Sequence, residues 1–209
     1  MRRAHDLDAT NFVLYGHSWG GILAIEYALA HPGALKALVI SNMMSSFPAY
    51  NDYANRVLVP QIDPAVVAEI RALEATDRTD DPRYEALLFE HHYVQHVLRM
   101  PVSKWPEPVT RAFSHLNKDV YVPMQGPSEL GGSGKLIDWD RTEELTDIRV
   151  PALVISAQHD TMDPEFMAAM SERLPKGVLL HCPNGSHLAM YDDQVTYMDG
   201  LLSFLAALD

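Results

Sequence analysis

The sequence predicts an α/β protein in which a parallel sheet is covered by helices and interrupted by a helical insertion. Short apolar runs alternate with helical patterns near both ends of the chain, as βαβ units do. Between them the chain has helical periodicity broken by prolines, without comparable apolar runs. These patterns predict a core formed by residues 1–42 and 128–209 and a helical cap formed by residues 43–127.

The first strand and the first long helix meet at a serine bounded by glycines. The apolar run Asn11–Tyr15 precedes Gly16-His17-Ser18-Trp19-Gly20, and a helix is predicted over Gly20–Ala30. G-x-S-x-G between a strand and a helix is typical of a nucleophile elbow. We expect the two flanking glycines to let strand and helix approach closely, and Gly21 to let the helix pack on the sheet. The alternative is a glycine-rich turn with an incidental serine.

The remaining elements follow from the same patterns. Three further strands are predicted at Leu35–Ser41, Val150–Ser156 and Gly177–Cys182, and the end of a helix at Arg2–Leu7. Helices are predicted at Pro64–Thr76, Pro82–Leu98 and Glu107–Leu116 in the cap, and at Pro164–Leu174 and Asp192–Leu208 in the core.

Three chemically active side chains each follow a predicted strand. Ser18 lies at the elbow, Asp160 just past the strand that ends at Ser156, and His187 in the loop after the last strand. Because active groups of open parallel sheets collect at the carboxyl ends of strands, we expect the three to meet. The histidine would take the serine proton and return it to the leaving group, and the aspartate would fix the imidazole tautomer.

Other residues could serve as the acid or the base in place of Asp160 and His187. Asp163 is an alternative acid, although Asp163-Pro164 is typical of a helix N-cap followed by proline. His159 and His181 are alternative bases, but His159 adjoins the candidate acid and His181 lies within a strand. Cys182 is either a second nucleophile or a small core residue, and as the one cysteine it excludes an internal disulfide.

The composition and net charge of the chain disfavour some classes of binding partner. The chain has 209 residues, and 16 Lys and Arg against 28 Asp and Glu give a formal net charge of −12. This charge disfavours nucleic acid and anionic membrane surfaces as partners. The sequence has no apolar run of about 18 residues or more, so no membrane span is predicted. Residues 1–6 lack the apolar core of a signal peptide, so we expect a cytoplasmic protein.

One pair of histidines has a spacing that zinc sites use. His92 and His96 fall one helical turn apart, but no third ligand is evident and the H-E-x-x-H order is absent. We therefore expect no metal and no cofactor, and we interpret the pair as polar cap residues that face the pocket.

Motifs spread over nearly the whole chain are similar to those of one family. They are the elbow Gly16–Gly21, Ser41-Asn42, the segment His91–Arg99, Val120–Glu129 with its Gly-Pro-x-Glu end, Asp138-Trp139-Asp140, Asp160 and Gly185-Ser186-His187. In these motifs the chain resembles the proline iminopeptidases, serine peptidases of the α/β-hydrolase fold. The resemblance implies an aminopeptidase with no metal or cofactor, acting on a small peptide or an amino-acid amide. It also implies that Glu129 grips the substrate's free α-amine and that the backbone N–H of Trp19 is an oxyanion donor.

The chain departs from the family's pattern in two places. Thr161 follows the candidate acid where many relatives have a glutamate. The family also begins with a longer segment, which holds the first strands and a His-Gly-Gly-Pro-Gly loop that completes the oxyanion hole. We therefore expect the chain to be the C-terminal part of a longer enzyme, with the elbow strand as an apolar edge. An amidase or esterase of the same fold, and an inactive fragment, are the alternatives; the oligomeric state is not indicated.

Overall fold

Four parallel strands form one sheet in the computed structural model, which describes residues 5–208. The strands are β1 (Val13–His17), β2 (Ala37–Ser41), β3 (Ala152–Ala157) and β4 (Gly177–Cys182), and they lie side by side in chain order. All four were predicted, with β1 lying two residues further along the chain than expected. The helix end predicted at Arg2–Leu7 falls mostly outside the described residues.

Helices cover both faces of the sheet. Helix α1 (Trp19–Ala30) and helix α8 (Pro164–Arg173) share a buried apolar cluster with alternate residues of β2 and β3. Helix α10 (Gln194–Ala206) covers the other face, where Tyr197 is buried. Because both faces of β2 and β3 are covered, these strands are continuous apolar runs without alternation.

The predicted last helix, Asp192–Leu208, corresponds to helix α10, and a short helix that was not predicted precedes it. Helix α9 spans Ala189–Asp192 and is separated from α10 by Asp193, whose φ of −134° and ψ of 47° are not helical. The Asp193 carboxylate accepts hydrogen bonds from the backbone N–H of Asn184 (3.0 Å) and from the hydroxyl of Thr196 (2.7 Å). The break therefore fastens the loop after β4 to the start of α10.

A block of helices connects β2 to β3. Its elements are α2 (Phe47–Tyr53) with a π-helical turn (Ala54–Leu58) and a 3-10 turn (Val59–Gln61), α3 (Pro64–Ala75), α4 (Pro82–Leu88) with a π-helical turn (Phe89–Tyr93) and α5 (Val94–His96), a 3-10 turn (Val102–Lys104), α6 (Glu107–Ser114), α7 (Lys118–Gln125) and a 3-10 turn (Glu144–Asp147). Most of the block has its own apolar cluster, which includes Leu58, Ile70, Leu87 and Leu98. None of the helices among residues 5–208 is both apolar enough and long enough to traverse a bilayer.

The helical block differs from the predicted one in three elements. Helix α2 was not predicted; Ser46 caps it by accepting the N–H of Ala49 (3.3 Å). Helix α7 was not predicted because it contains Pro123, which normally breaks a helix. The helix predicted at Pro82–Leu98 ends at His96 and contains the π-helical turn, a feature often found at functional sites.

Strand β1 forms one edge of the described sheet, as predicted. Its Tyr15 side chain is 43% exposed. The Tyr15 hydroxyl shares a hydrogen bond of 2.5 Å with the hydroxyl of Tyr197, which in turn lies 2.7 Å from that of Ser41. The edge strand is thereby tied to the helix that covers one face of the sheet.

Two of the three elbow glycines are required by close packing. A Cβ at Gly16 would lie 2.2 Å from the carbonyl oxygen of Gly20 and 2.8 Å from Cβ of Ala24. A Cβ at Gly21 would lie 2.7 Å from Cβ of Met43. A Cβ at Gly20 would meet no atom within 4 Å, so our expectation for Gly20 was wrong: its backbone, and not its missing side chain, packs against the strand.

Gly16→Ala and Gly20→Ala should therefore change stability in opposite directions. Gly16→Ala forces a methyl group into the helix backbone and should lower the free energy of unfolding by roughly 1–3 kcal/mol. Gly20→Ala fills open space in a helix and should raise it by about 0.5 kcal/mol. Urea unfolding of the two variants and the parent measures both changes; equal destabilisation by the two would contradict the packing argument.

Candidate active site

Ser18 occupies the turn between β1 and α1. Its φ of 52° and ψ of −128° are a backbone conformation that non-glycine residues rarely adopt outside functional sites. The N–H of Ser18 donates to the carbonyl of Ser41 (2.9 Å), and the N–H of Gly21 donates to the carbonyl of Ser18 (2.7 Å). Trp19 begins α1, so its N–H is among those for which a helix provides no internal acceptor.

The structure brings Ser18, His187 and Asp160 into one hydrogen-bonded chain. The Ser18 hydroxyl lies 2.7 Å from Nε2 of His187, and Nδ1 of the same ring lies 2.8 Å from Oδ1 of Asp160. Asp160 and His187 are both buried. Because a carboxylate only accepts hydrogen bonds, Nδ1 carries the proton and Nε2 is free to accept the serine proton. This is the geometry that a serine nucleophile with a general base requires.

The Asp160 carboxylate is held by three further donors. Nδ2 of Asn42 donates to Oδ2 (2.7 Å), while the N–H of Met162 (3.2 Å) and the hydroxyl of Thr161 (3.3 Å) donate to Oδ1. Asn42 also donates to the carbonyl of Ser186 (3.3 Å) and has a left-handed φ of 52°. Asn42 therefore links Asp160 to the loop that carries His187. No role was predicted for Asn42, although its position directly after β2 was a usable signal.

The electrostatic surroundings of His187 favour its protonated form. Burial lowers the pKa of His187, but the charge of Asp160 and the hydrogen bond to it outweigh burial and raise that pKa above the usual value. The charge of Glu129 raises it further. His17 donates from Nε2 to the backbone carbonyl of His187 (2.9 Å), and burial lowers the pKa of His17 to about 4, so this ring is neutral.

The alternative acid Asp163, the alternative base His181 and the single cysteine have other contacts. The Asp163 carboxylate accepts the N–H of Glu165 (2.9 Å) and caps α8. The His181 ring lies 3.0 Å from the hydroxyl of Ser156. Cys182 is fully buried, and burial raises the pKa of its thiol to about 12, so at neutral pH it is not a thiolate. These residues have structural contacts, and none of them joins the hydrogen-bonded chain of Ser18, His187 and Asp160.

Glu129 is half-buried and is contacted from several sides. Its carboxylate accepts hydrogen bonds from the hydroxyl of Tyr121 and from Nε2 of Gln125 (3.4 Å). Its carbonyl accepts the hydroxyl of Tyr50 (2.8 Å). Burial and the charge of Glu129 raise the pKa of Tyr121 well above the usual value, so this phenol remains a donor. The ring of Tyr121, whose hydroxyl bonds this carboxylate, lies 6.5 Å from the ring of Trp19, the residue that follows Ser18.

Thr161 occupies a fully buried position beside the acid. Besides its bond to Asp160, its hydroxyl lies 3.4 Å from Nδ1 of His187. The glutamate that the family resemblance leads one to expect at this position would place a second carboxylate there. The chain has a neutral hydroxyl instead.

Two further side chains have uncommon surroundings. The indole Nε1 of Trp19 and Nδ1 of His92 are buried without a hydrogen-bond partner among residues 5–208. The rings of His92 and His96 lie 5.2 Å apart, and each bonds a backbone carbonyl. In the part of the chain that the structure describes, no three His, Cys, Asp or Glu residues form a group that could hold a metal ion.

Comparison with known proteins places the chain in a family. A model described as the alpha/beta hydrolase family matches residues 2–198. A protein of Chitinophaga pinensis named proline iminopeptidase is 47% identical over 205 residues, which are 98% of this chain and 69% of that protein. The crystal structure of VinJ matches with a TM-score of 0.89 at 28% identity, over 100% of this chain and 69% of that one.

A second solved structure carries the same name as the Chitinophaga protein. The crystal structure of proline iminopeptidase from Mycobacterium smegmatis has a TM-score of 0.82 at 26% identity, covering 99% of this chain and 68% of that one. The similarity thus spans almost the whole of this chain and about two thirds of the relatives. The chain belongs to the alpha/beta hydrolase family and, within it, to the proline iminopeptidases.

Proposed function

We propose that the chain is a serine aminopeptidase that releases N-terminal residues, preferentially proline, from small peptides or amino-acid amides. The observation that carries the proposal is the hydrogen-bonded chain from Ser18 through His187 to Asp160. The half-buried Glu129 carboxylate supports it, since its partner Tyr121 lies against Trp19, the residue after Ser18. The names of the similar proteins support the preference for proline. No metal or cofactor takes part in the proposed reaction.

In the first half of the reaction, Ser18 attacks the carbonyl carbon of the N-terminal residue. His187 accepts the hydroxyl proton at Nε2, and Asp160 stabilises the imidazolium through Nδ1. The backbone N–H of Trp19 stabilises the oxyanion of the tetrahedral intermediate. His187 then gives its proton to the departing amine, which leaves an ester between Ser18 and the N-terminal residue.

In the second half, water hydrolyses the acyl-enzyme. His187 takes a proton from the water as it attacks the ester carbonyl and returns that proton to the oxygen of Ser18. The amino acid leaves, and the site returns to its starting state. The same three side chains therefore serve both halves.

Glu129 gives the site its preference for a free amine. An ammonium group at the substrate's N-terminus would form a charge-assisted hydrogen bond with this carboxylate. Tyr121 and Gln125 hold the carboxylate in place.

Residues 43–127 would act as a cap above the core, and residues 1–42 and 128–209 would supply the catalytic groups. The supporting observation is that most of the helical block has an apolar cluster of its own.

An amino-acid amidase or esterase with the same catalytic chain is the second candidate. It is favoured by Thr161, which places a buried hydroxyl where many relatives have a second carboxylate. Prolyl and alanyl anilides, amino-acid amides and a simple ester, assayed side by side, separate the two candidates. Failure of the chain to react with a fluorophosphonate would instead indicate a fragment without catalytic activity.

Ser18→Ala and His187→Ala should be non-additive. Each should lower kcat/KM on a prolyl anilide by about a thousandfold or more, and the double variant should lose little beyond that, because the groups act as a unit. Turnover of the two single variants and the double variant provides the measurement. Independent, multiplying losses would show that His187 does not act through Ser18.

The pH profile should report the raised pKa of His187. Since the base must be neutral, the acid limb of kcat/KM should lie above pH 6.5, the ordinary pKa of histidine. Asp160→Asn removes the charge that raises this pKa, so it should move the limb to lower pH and lower the plateau. Asp163→Asn is the matched control and should leave the limb in place. A larger effect of Asp163→Asn would reverse the assignment of the acid.

Glu129→Gln should discriminate between classes of substrate. Loss of a charge-assisted hydrogen bond to the ammonium should lower kcat/KM on free-amine substrates by about tenfold to a hundredfold. N-acetylated substrates and simple esters make no such contact and should change little. The informative quantity is the ratio of the two losses; a ratio near one would favour the esterase.

A further inference from the structure

The π-helical turn of the helical block holds the backbone of Glu129. Nε2 of His92 donates to the Glu129 carbonyl (3.1 Å), and the N–H of Glu129 donates to the hydroxyl of Tyr93 (3.3 Å). These two neighbouring side chains therefore hold both polar groups of one peptide residue. Tyr50 contributes a further bond to the carbonyl from α2. The carboxylate proposed to bind the ammonium is thus fixed by its backbone as well as by its side chain.

The next turn of the same segment holds the loop of the catalytic base. The N–H of His187 donates to the carbonyl of His96 (2.9 Å), and the N–H of Leu188 donates to that of Val97 (2.9 Å). The hydroxyl of Ser186 also donates to the Val97 carbonyl (2.9 Å). Successive carbonyls at the end of the helix are therefore satisfied by the loop that carries the base.

The loop of the catalytic acid is fastened to the same turn by a side chain. Nδ1 of His96 donates to the carbonyl of His159 (3.0 Å), the residue before Asp160. Burial lowers the pKa of His96, and burial together with the neighbouring His96 lowers the pKa of His92 to about 4. Both rings are therefore neutral, and each gives one N–H to a carbonyl of a functional loop.

The contact of His92 has a cost that packing alone does not explain. The side chain is fully buried, yet its Nδ1 has no hydrogen-bond partner among residues 5–208. A buried polar atom without a partner lowers stability, so its presence requires a reason. An apolar side chain would avoid this cost, but it would also lose the bond from Nε2 to Glu129.

We propose that His92 and His96 are positioning residues that hold the Glu129 loop at a fixed distance from the loops of Asp160 and His187. The inference rests on the proposed function. A substrate whose ammonium binds Glu129 must place the carbonyl of that same residue at Ser18. The segment from His92 to Val97 sets this spacing, and so it selects the bond after the first residue of a peptide.

His92 is tested through binding of the amine, which does not require turnover. His92→Leu should weaken the affinity for L-prolinamide roughly fivefold to tenfold, the effect of one buried hydrogen bond, as measured by calorimetry in proteins that also carry Ser18→Ala and so do not hydrolyse the amide. With Ser18 intact, His92→Leu should leave the rate of Ser18 labelling by a fluorophosphonate within about twofold of the parent. His92→Gln places an amide N–H near the position of Nε2 and should restore most of the affinity.

His96 is tested through reactivity. His96→Leu should slow fluorophosphonate labelling roughly tenfold with little change in prolinamide affinity, because it frees the loop of Asp160. His96→Asn places an amide N–H near the position of Nδ1 and should restore the rate. Thermal melting establishes that each variant is folded, and the Gln and Asn variants carry the test where a Leu variant does not fold.

The outcomes separate this inference from the proposed function. An affinity for prolinamide that Glu129→Gln does not change would overturn the proposed function. An affinity that depends on Glu129 but is unchanged in both His92 variants would overturn only the role of His92. Equal effects of all four histidine variants on affinity and labelling, without rescue by Gln or Asn, would show a merely structural role and overturn the inference.

Discussion

The close contact between Gly16 and the carbonyl of Gly20 is the constraint on which the site depends. Because β1 passes into α1 with only Ser18 between them, Ser18 takes a conformation with positive φ, and the two backbones come so close that no side chain fits at Gly16. That turn bonds the N–H of Ser18 to the end of β2. The residue after β2, Asn42, in turn bonds the carboxylate of Asp160. A backbone contact within one turn is thereby linked to the geometry of the whole hydrogen-bonded chain.

The parallel sheet explains why much of the site could be predicted from the sequence. In such a sheet, a residue that directly follows a strand must lie at one common edge, so position along the chain becomes proximity in space. This rule predicts that Ser18, Asp160 and His187 meet, and the structure places them within hydrogen-bonding distance. The same rule applies to Asn42. Their catalytic roles remain predictions that the proposed variants address.

Other features could not be predicted because they depend on contacts between distant segments. His92 and Glu129 are 37 residues apart, and only the folded helical block brings them together. Helix α7 forms despite Pro123, against the local preference that the sequence expresses. The expectation for Gly20 was wrong for a related reason, since a motif names the glycines but does not say which of them faces a neighbour.

Glu129, the proposed amine site, also acts on His187 through its charge. The negative charge of Glu129 raises the pKa of His187, which keeps a larger fraction of the base protonated in the empty site. An ammonium bound at Glu129 would offset that charge and lower the pKa of His187 again. A neutral imidazole, which accepts the proton of Ser18, would then be more abundant in the complex than in the free protein. In the proposed reaction, a substrate with a free amine would thus favour the neutral form of His187, whereas a simple ester would not.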